Sequence, residues 1–93
     1  MTYPVVIFCY DRLDMISQTL ASLGKNSLAK ETPVYIFSDG AKGPLDKDNV
    51  DEVRRYIKTI TGFHKVTIVE RECNFGLAVN IVSGVSKILE SYE

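Results

Sequence analysis

Three short apolar runs, each followed by a stripe of helical spacing, constrain this chain more than any other feature. Val5-Val6-Ile7-Phe8-Cys9 and Val34-Tyr35-Ile36-Phe37 are continuous and rich in β-branched or aromatic residues; Val66-Thr67-Ile68-Val69 repeats the pattern less purely. Continuous rather than alternating apolarity is what a strand needs when both its faces are covered, as in parallel sheets. Apolar residues then return at helical intervals. Leu13, Ile16, Leu20 and Leu23 form one set, and Val50, Val53, Ile57 and Ile60 a second. Leu77, Ile81, Val85, Ile88 and Tyr92 form the third. Each set lies along one face of a helix. The order β-α-β-α-β-α predicts an α/β fold in three layers, a three-stranded parallel sheet with right-handed crossovers.

Helix start signals agree. Asp11 precedes the first stripe as a cap, and Asp14 falls in its first turn. The stretch from Asp46 to Glu52 puts carboxylates at the start of the second, where they favour the positive end of the dipole. Asn74 is placed to cap the third, and Gly62 to end the second.

Ninety-three residues make one domain, and 45% hydrophobic with 25% charged residues is ordinary for a soluble globular chain. A net charge of −1 argues against non-specific nucleic-acid binding, which needs a basic surface. The apolar runs are far shorter than the roughly 20 residues that span a bilayer. Met1-Thr2-Tyr3-Pro4 lacks a basic region, so no signal peptide is expected. Two cysteines, Cys9 and Cys73, then read as reduced thiols and place the chain in the cytoplasm. With one histidine, His64, and no paired-cysteine motif, structural zinc is excluded. The glycine-rich GxGxxG and GxxxxGK[ST] phosphate loops and the GxSxG elbow are absent.

Each apolar run ends in polar, turn-prone residues: Tyr10-Asp11-Arg12, Ser38-Asp39-Gly40, and Arg71-Glu72-Cys73-Asn74-Phe75-Gly76. In an open parallel sheet these ends share one edge, where ligands bind. Asp39 there is either a carboxylate facing a ligand or an ordinary Asp-Gly turn residue. Gly40 allows close backbone approach in both cases. Arg12 has Asp14 and Asp39 as possible partners. Cys9 reads as a small buried hydrophobe, and Cys73 lacks a histidine to activate it.

The stretches VVIFCYDRLDMISQTLASL, PVYIFSDGAKG and VTIVERECNFGLAVNIVSGV, in that order, resemble the N-terminal part of a GT-A-type glycosyltransferase. The likeness is to family 2 and to N-acetylglucosaminyltransferase-I-like enzymes. It runs from Pro4 to about Leu89, and its most specific element is Asn74-x-Gly76-Leu77 opening the third helix. The resemblance implies a Rossmann-like half of a nucleotide-diphospho-sugar transferase fold. It implies nucleotide contacts at Cys9, Tyr10, Arg12, Asp39, Gly40, Asn74, Gly76 and Leu77, with Asp39 as acceptor for the base or ribose. Such enzymes carry Mn²⁺ or Mg²⁺ on an Asp-x-Asp or Glu-Asp-Asp motif after a fourth strand. Asp46-Lys47-Asp48 has those letters but stands before the second helix, where capping is the simpler reading.

On this view residues 1–93 are a single truncated nucleotide-sugar-binding domain, inactive alone, with a UDP-sugar as the expected donor. Neutralising Asp39 would then weaken donor binding and leave folding almost unaltered. The family's sheet order, third-second-first-fourth, leaves Val5–Cys9 with an open edge and predicts a homodimer through it. A flavodoxin-like signalling or interaction module, with Asp11 and Asp39 as its carboxylates, is the alternative.

Overall fold

The computed structural model describes residues 3–91. Tyr92 of the third stripe lies outside them. Chain order is β1 (Val5–Cys9), α1 (Leu13–Gly24), a 3-10 turn (Ala29–Glu31), β2 (Pro33–Ser38), α2 (Lys47–Ile57), β3 (Lys65–Glu70) and α3 (Leu77–Ser91). The strands form one parallel sheet in the order β1-β2-β3, with Ile7 opposite Ile36 and Ile36 opposite Ile68. β2 is central, and Val34, Ile36 and Phe37 on it are fully buried.

Side chains alternate between the faces of a strand. Ile7, Val34 and Ile36 point to one face and form the main core with Ile16 and Leu20 of α1 and Val53 and Ile57 of α2. Both helical stripes pack as their spacing predicts, except that Ile60, three residues past the end of α2, packs from the loop. Phe8 and Phe37 point to the other face, their rings stacked with centroids 5.5 Å apart. α3 lies over them. The fold is thus three-layered α/β: two helices, a sheet, one helix.

α3 seats on a different stripe from the one its apolar residues predict. Asn80, Gly84 and Ile88 face the sheet, while Leu77, Ile81 and Val85 are exposed. The reason is steric. A Cβ at residue 84 would stand 2.7 Å from a Phe8 ring carbon and 3.2 Å from Phe37, so only glycine lets the helix come this close. Asn80 is satisfied there, its Nδ2 donating to the Phe37 carbonyl at 3.4 Å and its Oδ1 accepting from Arg71 Nε at 3.1 Å.

The caps also differ. Arg12, not Asp11, occupies the N-cap position of α1, with no side-chain cap bond. Its guanidinium instead forks onto the Asp14 carboxylate at 3.0 and 2.8 Å. α2 ends at Ile57, with Lys58 as its cap, and Gly62 takes φ +94° in the loop beyond. The first carbonyl of α3's opening turn is that of Gly76, which accepts the Asn80 N–H at 2.9 Å, and Asn74 Nδ2 donates to Asp39 and to the Gly40 carbonyl.

Candidate functional site

The helix on the far face fixes where a site can lie. From β1 to β2 to β3 the chain steps one way across the sheet, with α1 and α2 on one side. α3 leaves β3 on the other side and packs back over β1. α3 thus covers the face of β1 opposite α1, and the crevice beyond the carboxyl ends of the strands is where open parallel sheets bind ligands.

A cavity of about 570 Å³ opens there. Its inner stretch follows the β1 edge and is apolar, walled by Ile7, Phe8, Met15 and Ile16. Its outer stretch is polar. Tyr10, Arg12, Asp39, Lys42, Asn74 and Gly76 meet there, with Cys9 and Leu77 beside them. Seven of the eight residues singled out from the sequence thus share one wall. Gly40 is not among the lining residues.

Asp39 organises this wall from beneath. It is 4% exposed. Its Oδ1 accepts the N–H of Gly40 at 2.9 Å and of Phe75 at 2.8 Å. Its Oδ2 accepts the N–H of Gly76 at 3.1 Å and Asn74 Nδ2 at 3.4 Å. A carboxylate offers about four lone-pair sites, so these donors fill it. Its visible work is to tie the β3–α3 loop to the end of β2. Asn74 completes the tie by donating to the Gly40 carbonyl at 2.8 Å. Gly40 is required for the same reason: a Cβ there would lie 2.5 Å from the Cys73 carbonyl carbon.

The rim is looser. Gly76 takes φ +81° and delivers the chain into α3. The N–H groups of the first turn, from Leu77 to Val79, have no partner within the helix and carry the positive end of its dipole. Lys42 Nζ sits 6.0 Å from the centroid of the Tyr10 ring. Arg12 is exposed and paired with Asp14. Burial pushes the Cys9 thiol up to about 11, against a hydrogen bond with Ser38 that pulls the other way. It stays protonated near neutrality and is no nucleophile.

Arg54, which the sequence reading passed over, and Arg71, which it placed at a strand end without a role, hold the site together. Arg54 of α2 donates to Ser38 Oγ at 2.9 Å and to the carbonyls of Ser38, Asp39 and Arg71 at 3.2, 3.1 and 2.8 Å. One guanidinium thereby fastens the ends of β2 and β3. Arg71 lies between the rings of Phe37 and Phe75, 5.2 and 4.7 Å from their centroids, and also reaches Ser83 Oγ at 3.2 Å. Arginine beside an apolar stripe carries no periodic signal. The usable hint was the fully buried Ser38, whose strand-end polar groups had to find a donor.

The carboxylates lining the cavity are Asp11 and Asp39, and Asp39 is filled by amides. Asp46, outside the lining, accepts the N–H of Lys42 at 2.9 Å and of Gly43 at 3.1 Å, which holds its carboxyl below the usual range. Among the described residues no group of three or more His, Cys, Asp or Glu could hold an ion. No helix among them is long and apolar enough to cross a membrane. Comparison with protein-family models, curated proteins and solved structures returned no match.

Proposed function

We propose that the chain is the nucleotide-sugar-binding part of a glycosyltransferase, taking a nucleoside-diphosphate sugar, a UDP-sugar foremost, at the mouth of the β1 cavity. The observation that carries this is the coincidence of a polar mouth, an aromatic ring and a helix N-terminus beyond the carboxyl end of a parallel strand. The Tyr10 ring offers a face for a base. Lys42, Arg12 and the first turn of α3 offer positive charge for a diphosphate. Asp39 acts here by positioning the Asn74–Gly76 loop. Mn²⁺ or Mg²⁺ is the metal this reaction calls for, and no group of three or more His, Cys, Asp or Glu among the described residues could hold it. The two free cysteines support a reducing, cytoplasmic setting. A second copy of the chain is the proposed protein partner, at the β1 edge.

Titration with UDP, followed by amide NMR, tests the reading. Without metal or acceptor half, dissociation near millimolar is expected, about −4 kcal/mol. Tyr10, Arg12, Lys42 and the amides from Gly76 to Val79 should shift first. Shifts confined to the opposite end of the sheet, between Gly62 and Lys65, would sink it.

A further inference from the structure

The triplet Asp46-Lys47-Asp48, whose letters suggest a metal motif, has a different part to play near the cavity mouth. Asp46 stands at the N-cap position of α2, yet its side chain makes no cap bond there. It turns back instead. Its Oδ2 accepts the Lys42 N–H at 2.9 Å, and its Oδ1 accepts the Gly43 N–H at 3.1 Å. Those bonds favour the ionised carboxylate, which keeps both acceptors at neutral pH. Both amides belong to the loop between β2 and α2. Packing does not anchor that loop at its tip, where Leu45 is 99% exposed. The Asp46 carboxylate therefore sets where Lys42 stands. Because it takes main-chain N–H groups, it leaves the ammonium free. Lys42 forms no ion pair among the described residues. Its Nζ lies 6.0 Å from the centroid of the Tyr10 ring, and the residue lines the cavity.

The second cation of the mouth is placed in the opposite way. Arg12 gives Nε and Nη2 to the two oxygens of Asp14, at 3.0 and 2.8 Å. That fork takes up one edge of the guanidinium and offsets its charge. An anion that needs Arg12 must compete with Asp14. The pair is exposed to solvent, so opening it costs little. We propose that these two aspartates act on ligand binding with opposite sign: Asp46 presents Lys42 to a diphosphate, and Asp14 withholds Arg12 from it. Both are positioning residues, since each acts through its cation. The inference rests on the reading of the mouth as a nucleoside-diphosphate site, and it assigns the main cationic side chain there to Lys42. Its sign differs from that of plain electrostatics. Removing a negative charge near a diphosphate lowers repulsion and by itself favours binding. A loss of affinity on neutralising Asp46 therefore reports the lost placement of Lys42.

Titration of the full chain with UDP, followed by amide NMR at low ionic strength to limit screening, tests it. Lys42→Ala should weaken binding about three- to tenfold, as for a charge-assisted contact at an exposed site. Asp46→Ala should weaken it nearly as much, and should cost nothing further in the Lys42→Ala background. Asp46→Asn keeps one acceptor oxygen for the two amides and should fall between Asp46→Ala and the parent. Asp14→Asn should tighten binding about two- to fivefold, a gain that vanishes when Arg12→Ala is added. The β2 amides, from Val34 to Ser38, should keep their positions in every variant. Asp46→Ala protein that binds UDP as well as the parent or better, or that adds its loss to that of Lys42→Ala, would overturn the inference. So would a loss accompanied by shifts in β2, or an Asp14→Asn protein that binds no tighter. Each of these leaves the diphosphate site standing. A parent chain that binds no UDP would sink the site and the inference together.

Discussion

Asp39→Asn separates a carboxylate that holds the fold from one that waits for a ligand. The amide has nearly the same shape, but one of its termini becomes an NH2 group. That group must face either the pair Gly40 N–H and Phe75 N–H or the pair Gly76 N–H and Asn74 Nδ2. Two donors then meet a donor. Hydrogen bonds to a charged group contribute about 1.5–3 kcal/mol each, and the remaining pair falls to neutral strength. Some of the loss is recovered by water once the loop loosens. A net cost of about 2–4 kcal/mol is expected. A chain of this size has about 5–14 kcal/mol of stability in all, and each kcal/mol moves the melting point of a 60–100-residue domain by about 4–8 °C. The variant should melt at least 10 °C lower, roughly, with a matching fall in the urea midpoint at unchanged slope. Asp14→Asn, which removes only a surface pair, is the control and should stay within about 0.5 kcal/mol. An Asp39→Asn protein as stable as its parent would refute the organising role and restore the carboxylate as a free acceptor for ligand. The expectation drawn from the sequence, that folding would hardly notice, is reversed by burial and by the amides gathered on this side chain.

Arg54→Met should cost about 2–4 kcal/mol in urea unfolding, because it strands the Ser38, Asp39 and Arg71 carbonyls in a poorly hydrated place; a loss under 1 kcal/mol would show that water replaces it freely. At pH 8 iodoacetamide should label exposed Cys73 well before Cys9, whose thiol lies at about 11. The same shift makes stability fall as pH rises from about 9 to about 11. In that window the unfolded chain has lost the Cys9 proton and the folded one keeps it, so the slope is negative, with a total of up to about 2–3 kcal/mol. Equal labelling, or a Cys9→Ala variant with the same alkaline loss, would contradict this.

Much of the architecture was legible because apolar periodicity records which faces are covered. The Val-Ile-Phe runs became strands, and the stripes on α1 and α2 became the core, with Val53 and Ile57 nearly inaccessible. α3 was misread for a physical reason. Of its apolar stripe Ile88 is buried as expected, but the rest of its buried contact is made by an amide, Asn80, and by the absence of a side chain at Gly84, neither of which adds to a hydrophobic stripe. Leu77, Ile81 and Val85 are on its uncovered flank. The convergence of Tyr10, Asp39 and Asn74 on one cavity was legible, since strand ends on one edge must meet. The direction of the Asp39 carboxylate was not, because its partners, the amides of Phe75 and Gly76, lie some 35 residues on and are invisible to local pattern. Arg54 was missed likewise: its acceptors are main-chain carbonyls, which every residue possesses.

Phe75 and Gly76 belong to no helix or strand, yet their amide protons are held by a carboxylate that is itself nearly inaccessible. Such protons exchange with solvent only when the supporting unit opens, not at the rate of a surface loop. Gly40, bound to the same side chain, should open with them. The boundary of the cooperative unit therefore runs outside the β3–α3 connection, and the cavity rim moves with the sheet. A molecule arriving at that rim finds its loop already ordered. The entropy that a flexible loop loses on closing around a ligand has, at this rim, already been given up in folding.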